Sequence, residues 1–280
     1  MTFQPVTPFS GIAGWRFLER TQESQQAAFD KSPGLDREVQ YFKDNIAEIT
    51  TAEELVADRQ LLKVALGAFG LDEQIDSQFF MKKILEEGTD DPKSLANRLV
   101  DPRFSEFADA FGFGNILGAR TGQSDFAQSV TDAYKIRQFE VAVGESDDSL
   151  RLAMTFKRAI GDYANSDSAD SGAWFSIMGN PPLRAVIETA FNLPGAFGQL
   201  DIDRQREVLR DETRAVFGDD SVAVFKDPDA VNVMIDRYLA RAQISNGPQA
   251  GTPGMAALSL LQSASSFSAA GRINLILSNS

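Results

Sequence analysis

Helix boundaries recur along this 280-residue chain, and they constrain its fold more than any other feature. Asp-Pro or Asn-Pro pairs begin at Asp91, Asp101, Asn180 and Asp227. Each pair places a capping side chain before a proline at the first helical position, where the missing N–H is not needed. No segment shows the sustained alternation of apolar and polar residues that is typical of a half-buried strand. The sequence therefore predicts an all-α protein of many short helices.

The segment from Thr51 to Gly88 carries these signals most completely. Thr51 and Glu54 fit a capping box, and Gly70 is expected to end the helix in a left-handed conformation. Asp72 is expected to cap the next helix, which would run to Gly88. The residues predicted to face the core from these helices are Leu55, Leu62, Leu66, Phe69, Ile75, Phe79, Phe80 and Ile84.

Composition and breakers divide the chain into four segments. A helix end with the pattern Ala-Phe-(Gly or Asn)-Leu occurs at 68–71 and again at 190–193, which fits either two related halves or chance. The predicted segments are an N-terminal arm and helix over 1–35, a first helical subdomain over 36–120, a second over 121–244, and an apolar, Ser-rich tail over 245–280. Within the first segment, the helix is expected to begin at Trp15.

The composition and the net charge exclude several classes of function. The chain has no cysteine and no histidine, which excludes disulfides, thiol nucleophiles and every mechanism that uses a histidine base. Its formal net charge of −13 argues against binding to nucleic acid or to an anionic membrane surface. No apolar run is long enough to span a bilayer, so direct membrane insertion is not expected.

Motifs that could hold a cofactor or a metal are weak. The glycines between Gly112 and Gly118 follow a predicted helix rather than a strand, so they read as a helix end and a linker. Acidic pairs such as Asp90-Asp91 and Asp147-Asp148 lack the spacing of a calcium loop and suit helix N-termini. We therefore predict no catalytic residue, no cofactor and no metal ligand.

The C-terminal tail has the clearest candidate binding residues. Residues 242–280 contain a single charged residue, Arg272, but many apolar ones, a composition unlike that of simple disordered segments. We expect the tail to dock either on a protein partner, as a helix laid into a groove, or on its own domain. The candidate partner-binding residues are Leu258, Leu261, Phe267, Ile273, Leu275 and Leu277.

A set of segments resembles a bacterial family known as domain of unknown function 1217. They are residues 41–46, 58–71 and 91–99 in the first half and 143–145, 180–184, 190–194 and 200–205 in the second. The likeness covers about residues 36–244. The resemblance implies an α-proteobacterial protein, often encoded among flagellar genes, and brings no known catalytic residue.

These observations lead to one main functional hypothesis and two alternatives. The main hypothesis is a non-enzymatic, flagellum-associated protein that acts through helix-mediated contacts with a flagellar protein partner. The first alternative is a soluble cytoplasmic adaptor or regulator of flagellar assembly. The second is an enzyme that uses carboxylates alone, which would require a deep pocket with two acids of raised pKa.

The N-terminal residues bear on localisation. Residues 1–14 contain no lysine or arginine and no long apolar run, so we expect no cleaved signal peptide. The chain would be synthesised in the cytoplasm and either remain there or leave through the flagellar export apparatus.

Overall fold

The structure is a computed structural model that describes residues 3–170 and 172–245, apart from the side chain of Ser245. Within these residues every regular element is a helix, which confirms the all-α prediction. The α-helices are α1 (Gly11–Phe29), α2 (Pro33–Asn45), α3 (Ala52–Ala57), α4 (Arg59–Phe69), α5 (Gln78–Glu87), α6 (Leu95–Arg98), α7 (Arg103–Phe111), α8 (Phe126–Gly144), α9 (Asp148–Asn165), α10 (Ala173–Gly179), α11 (Pro181–Ala190), α12 (Ile202–Phe217) and α13 (Pro228–Ser245).

The local helix signals set several boundaries as expected. Thr51 and Glu54 form the capping box, with the Thr51 hydroxyl 3.2 Å from the Glu54 N–H that it accepts. Gly70 ends α4 in the left-handed region with φ of 69°, and Asn180 caps α11. These boundaries depend only on neighbouring residues, so they could be predicted from the sequence.

The chain from Thr51 to Gly70 forms two helices instead of one. Asp58 adopts an extended conformation, ends α3 and caps α4 by accepting hydrogen bonds from the N–H groups of Gln60 and Leu61, at 2.9 and 3.0 Å. The Tyr41 hydroxyl donates to the same carboxylate at 2.7 Å. This contact from α2 explains why the break occurs at Asp58.

The prediction that Asp72 caps the following helix was wrong. Residues 72–74 form only a single 3-10 turn, and α5 begins at Gln78. The Asp72 carboxylate instead accepts a hydrogen bond from Gln138 of α8 at 3.0 Å. The buried face of α5 is formed by Met81, Ile84 and Leu85, so Phe79, which was predicted to face the core, is 82% exposed.

The first helix begins at Gly11 rather than at Trp15. Gly14 lies within the first turn of this helix and allows a close backbone approach. A Cβ atom at Gly14 would lie 2.1 Å from the Phe9 carbonyl oxygen. The glycine therefore lets the arm fold back against α1, and the Gln25 side chain holds the arm by bonding both backbone groups of Val6.

The helices bury two hydrophobic cores. The first core is built by α2–α7 and the first part of α8, and the second by α1, the last part of α8 and α9–α13. Helix α8 passes from one to the other, with Tyr134 in the first core and Phe139 in the second. The two bodies therefore share α8, and α1 packs with the second core. The four predicted segments remain predictions.

Candidate functional site

The predicted partner-binding residues Leu258, Leu261, Phe267, Ile273, Leu275 and Leu277 lie outside the described residues. Within the described part of the chain, none of the helices is both long enough and apolar enough to cross a membrane. Two other features can be assessed in detail. One is a cleft where the two cores meet, and the other is an exposed loop between α7 and α8.

The cleft has a volume of about 1000 Å³ and lies against α7, α8, α9 and α11. Its walls combine apolar and charged groups. The apolar lining residues include Val141, Leu152, Ala159, Pro181 and Pro182, and the charged ones include Asp72, Glu73, Arg103, Glu106, Arg137, Glu140, Glu145, Asp148, Arg151, Arg158 and Asp162.

Glu140 is the best-satisfied charge in this cleft. It is buried, and its carboxylate accepts from the Thr155 hydroxyl at 2.9 Å and from Nε and Nη2 of Arg158 at 2.7 and 3.0 Å. Three donors to one carboxylate compensate for the water that it loses on burial. Glu140 and Arg158 therefore form a link between α8 and α9 with little remaining need for a ligand.

The guanidinium of Arg103 also has partners within the protein. Its Nη2 atom lies 2.7 Å from Oδ2 of Asp101, and its Nη1 atom donates to the carbonyl oxygen of Gly70 at the end of α4. The guanidinium of Arg137 lies beside the same glycine, because a Cβ atom there would be 2.8 Å from Arg137 Nη1. Gly70 is thus required by its positive φ, and the Arg137 guanidinium packs in the space that a side chain would occupy.

Arg137 differs from these arginines because its guanidinium makes no hydrogen bond or ion pair within the described residues. Burial lowers its pKa to about 10, and repulsion from Arg158 and Arg103 acts in the same direction, while Glu140 and Glu106 oppose it. The side chain therefore remains a cation at neutral pH and faces the cleft without a counter-ion in contact.

Glu106 is the corresponding acid. Its side chain is reached by solvent and has no hydrogen-bond or ion-pair partner in the described part of the chain. Burial against the cleft walls raises its pKa, which Arg137 opposes and Asp101 and Asp162 reinforce.

The loop between α7 and α8 presents two adjacent apolar side chains. Ile116 is 92% exposed and Leu117 is 87% exposed. The buried Asn115 fixes the loop: its amide oxygen accepts from the Thr89 N–H at 2.7 Å, and its amide nitrogen donates to the Thr89 hydroxyl at 3.0 Å. Asp90 accepts from the Ile116 N–H at 2.6 Å.

Glycine makes this loop packing possible. A Cβ atom at Gly114 would lie 2.3 Å from the Glu86 carbonyl oxygen, so the backbone approaches α5 more closely than any other residue would allow. Gly112 ends α7 with φ of 71°, and α8 does not begin until Phe126. The glycines therefore serve a helix end and a fixed loop, as the sequence had indicated.

Comparison with known proteins identifies the chain at the level of family. Residues 68–231 match the model of a family described as "Protein of unknown function (DUF1217)". The chain belongs to this family. The matched residues include the cleft and the exposed loop but not the predicted tail residues, so both described features belong to the DUF1217 region.

The fold of the DUF1217 protein is also found in a solved structure. The crystal structure of protein AGR_C_984 from Agrobacterium tumefaciens is similar with a TM-score of 0.71, covers 87% of this chain and 100% of that chain, and is 24% identical in sequence. At this identity the similarity concerns the fold alone. No curated protein sequence matches the chain.

Sequence reasoning missed the residues that stand out in the DUF1217 structure. Ile116 and Leu117 carried a usable signal, since they are apolar, lie between glycines and fall outside any helical periodicity. Arg137 and Glu106 carried no signal in the sequence that could have singled them out. Charged residues on amphipathic helices are common, and only the tertiary arrangement of the helices that line the cleft shows which of them are unpaired.

Replacing Glu106 with glutamine is expected to raise the free energy of unfolding at pH 7, because burial outweighs the attraction of Arg137 and disfavours the charged form. A carboxyl with a raised pKa in the folded state gains stability as the pH falls through that pKa. The advantage of the variant should therefore shrink on acidification and vanish below about pH 4, where the carboxyl is protonated in both states. Urea unfolding at several pH values measures this difference.

The control is Glu23→Gln, which removes an exposed carboxylate from α1 and should change stability little at any pH. A Glu106→Gln variant that is less stable than the wild type at pH 7 would mean that Glu106 makes a stabilising contact in the folded protein.

Proposed function

We propose that the DUF1217 protein is a non-enzymatic, flagellum-associated protein that acts by binding other proteins. The observation that carries this proposal is the loop that presents Ile116 and Leu117. Isolated apolar residues on a surface are ordinary, but two adjacent ones on a fixed loop are typical of contact surfaces. The resemblance to the family, with its link to flagellar genes, supports the flagellar part.

The loop suits binding because it is already ordered. Its position depends on Asn115, Gly114 and the bond from the Ile116 N–H to Asp90. A partner would therefore not have to supply the free energy of ordering the backbone. Removing each aliphatic side chain from water contributes about 1.5–3 kcal/mol. Together Ile116 and Leu117 could supply a useful part of the affinity.

The charges around the loop indicate the kind of partner. Asp90 and Asp91 are exposed, and Asp90 contacts the loop by accepting from the Ile116 N–H, whereas Asp109 is paired with Arg120. The partner that fits best presents an apolar cavity with lysine or arginine residues at its edge. Complementary charge would speed association and make it sensitive to salt.

The test uses the full chain, tagged, in the bacterium that produces it. Wild-type cells and cells deficient in flagellar export are fractionated, and flagellar structures are purified from each. On this proposal the protein accompanies the flagellar structures, and the double variant Ile116→Ser, Leu117→Ser reduces the associated amount by about tenfold or more. Since both side chains are exposed, circular dichroism and thermal unfolding should be unchanged.

The matched control is Phe79→Ser, which removes an exposed apolar side chain from the opposite end of α5. It should leave the association intact. Equal cytoplasmic retention in both strains, with no flagellar association, would reject this proposal and favour the alternative of a cytoplasmic adaptor. Association that the double variant does not weaken would show that the loop is not the contact.

A further inference from the structure

Among the described residues, the cleft holds one arginine without a partner, Arg137, and three acids without one, Glu106, Glu145 and Asp162; of these three acids, Glu106 is the one whose charge acts on Arg137. Arg137 and Glu106 both line it, and neither makes a hydrogen bond or ion pair with a residue that the structure describes. They also do not pair with each other, although they are near enough for each to shift the pKa of the other. Arg137 is only partly exposed, and a charge that loses water without gaining a partner is costly, so the site is complementary to a ligand that brings a carboxylate to Arg137 and a cation to the exposed Glu106.

Neighbouring charges show that this arrangement is selective. Arg158 is paired with Glu140 and Arg103 with Asp101, so the lack of a partner at Arg137 is not a general property of the cleft. The rest of the charged lining, here called the rim, is net acidic, because its acids Asp72, Glu73, Glu145, Asp148 and Asp162 outnumber Arg151, which pairs with Asp148. A simple anion would be repelled by this rim, and a simple cation would leave Arg137 without a partner.

We propose that the cleft binds a short zwitterionic peptide, with its carboxylate on Arg137 and its ammonium group at Glu106. The planar guanidinium can form two parallel hydrogen bonds with a carboxylate, which an ammonium group cannot. Because the ligand carries no net charge, the acidic rim does not exclude it. The volume of about 1000 Å³ leaves room for more than a single amino acid.

The remaining cleft walls suit the rest of such a ligand. Leu152, Ala159 and Pro181 provide apolar surface for hydrocarbon side chains, and the Tyr163 hydroxyl and the Asn180 side chain offer polar groups for a peptide bond. The Asn180 amide nitrogen is within 3.3 Å of the Tyr163 oxygen, so these two groups lie together. The site therefore combines charge recognition at two points with an apolar body.

The experiment titrates the full-length protein with leucyl-leucine by calorimetry, and repeats the titration with the N-acetylated and the C-amidated forms of the same dipeptide. Saturable binding is expected, and each blocking group should weaken it by about tenfold or more. In Glu106→Gln, N-acetylation should no longer weaken binding further. In Arg137→Gln, C-amidation should likewise no longer weaken binding. The two variants together therefore assign the ligand carboxylate to Arg137 and the ligand ammonium group to Glu106.

Matched controls are Glu23→Gln and Arg98→Gln, both outside the cleft, and both should bind as the wild type does. Arg137→Lys retains the charge without the fork and is expected to bind at an intermediate level. Circular dichroism establishes that each variant is folded. Absence of saturable binding by leucyl-leucine, or binding that neither blocking group weakens, would overturn the proposal.

This site is independent of the exposed loop. The double variant Ile116→Ser, Leu117→Ser should bind leucyl-leucine with unchanged affinity, because the loop does not line the cleft. Failure of the peptide titration would leave the protein-binding proposal untouched, and failure of the flagellar fractionation would leave this proposal untouched.

Discussion

Replacing Trp174 with alanine is expected to lower the free energy of unfolding by about 3–5 kcal/mol. Trp174 is completely buried in the second core, where it packs at the start of α10. Its Nε1 atom also donates a hydrogen bond to the Asp220 carbonyl oxygen at 3.1 Å. The substitution removes both the apolar contact area and this donor. Urea unfolding followed by circular dichroism measures the loss.

A comparison between the two tryptophans separates the cavity from the hydrogen bond. Trp15 is also completely buried in the second core, but its Nε1 atom has no hydrogen-bond partner in the described part of the protein. Trp174→Phe leaves the Asp220 carbonyl without its donor, whereas Trp15→Phe removes an unsatisfied N–H. We expect Trp174→Phe to be more destabilising by about 1–3 kcal/mol. Equal losses in the two phenylalanine variants would contradict this role of the bond.

Replacing Gly179 with alanine is expected to destabilise the protein by about 1–3 kcal/mol or more. Gly179 ends α10, and a Cβ atom there would lie 2.0 Å from the carbonyl oxygen of Val100, in the connection between α6 and α7. The conflict is with backbone, so it cannot be relieved by rotating a side chain. Because Val100 leads into α7, relief would require shifting a helix of the first core against one of the second.

The control is Gly161→Ala within α9, where nothing lies within 4 Å of the added Cβ atom. This substitution should stabilise the protein by about 0.5–1 kcal/mol, because alanine favours the helix and restricts the unfolded chain. The two alanine variants should therefore change the unfolding midpoint in opposite directions. A shift in the same direction for both would show that the approach of Val100 to Gly179 does not limit the packing.

The sequence predicted features that depend on near neighbours. The capping box at Thr51, the left-handed Gly70 and the Asn180 cap were all recognised, because a cap is made by residues within one turn of each other. Two predictions from the sequence were wrong: Asp72 does not cap α5, and Phe79 does not face the core. The partner that engages Asp72 lies on α8, so a local pattern could not show that this carboxylate was unavailable as a cap.

The two candidate sites also differ in how far they could be predicted from neighbouring residues. The exposed loop could have been found from the sequence, since Ile116 and Leu117 are apolar residues in a segment with glycine and no helical pattern. The cleft could not. Whether Arg137 and Glu106 are paired depends on where α7, α8 and α9 place every other charge around them, and the sequence contains equally charged helices whose residues are paired.

The amino-acid sequence by itself determined that this protein is helical and where several of its helices end, because hydrogen bonds between neighbouring residues decide those features. Only the tertiary structure decided that α8 serves two cores, that Val100 meets Gly179 and that two opposite charges face one cleft unpaired. These features arise from contacts between residues distant along the chain. Their outcome is set by the packing of whole helices, which no local pattern specifies.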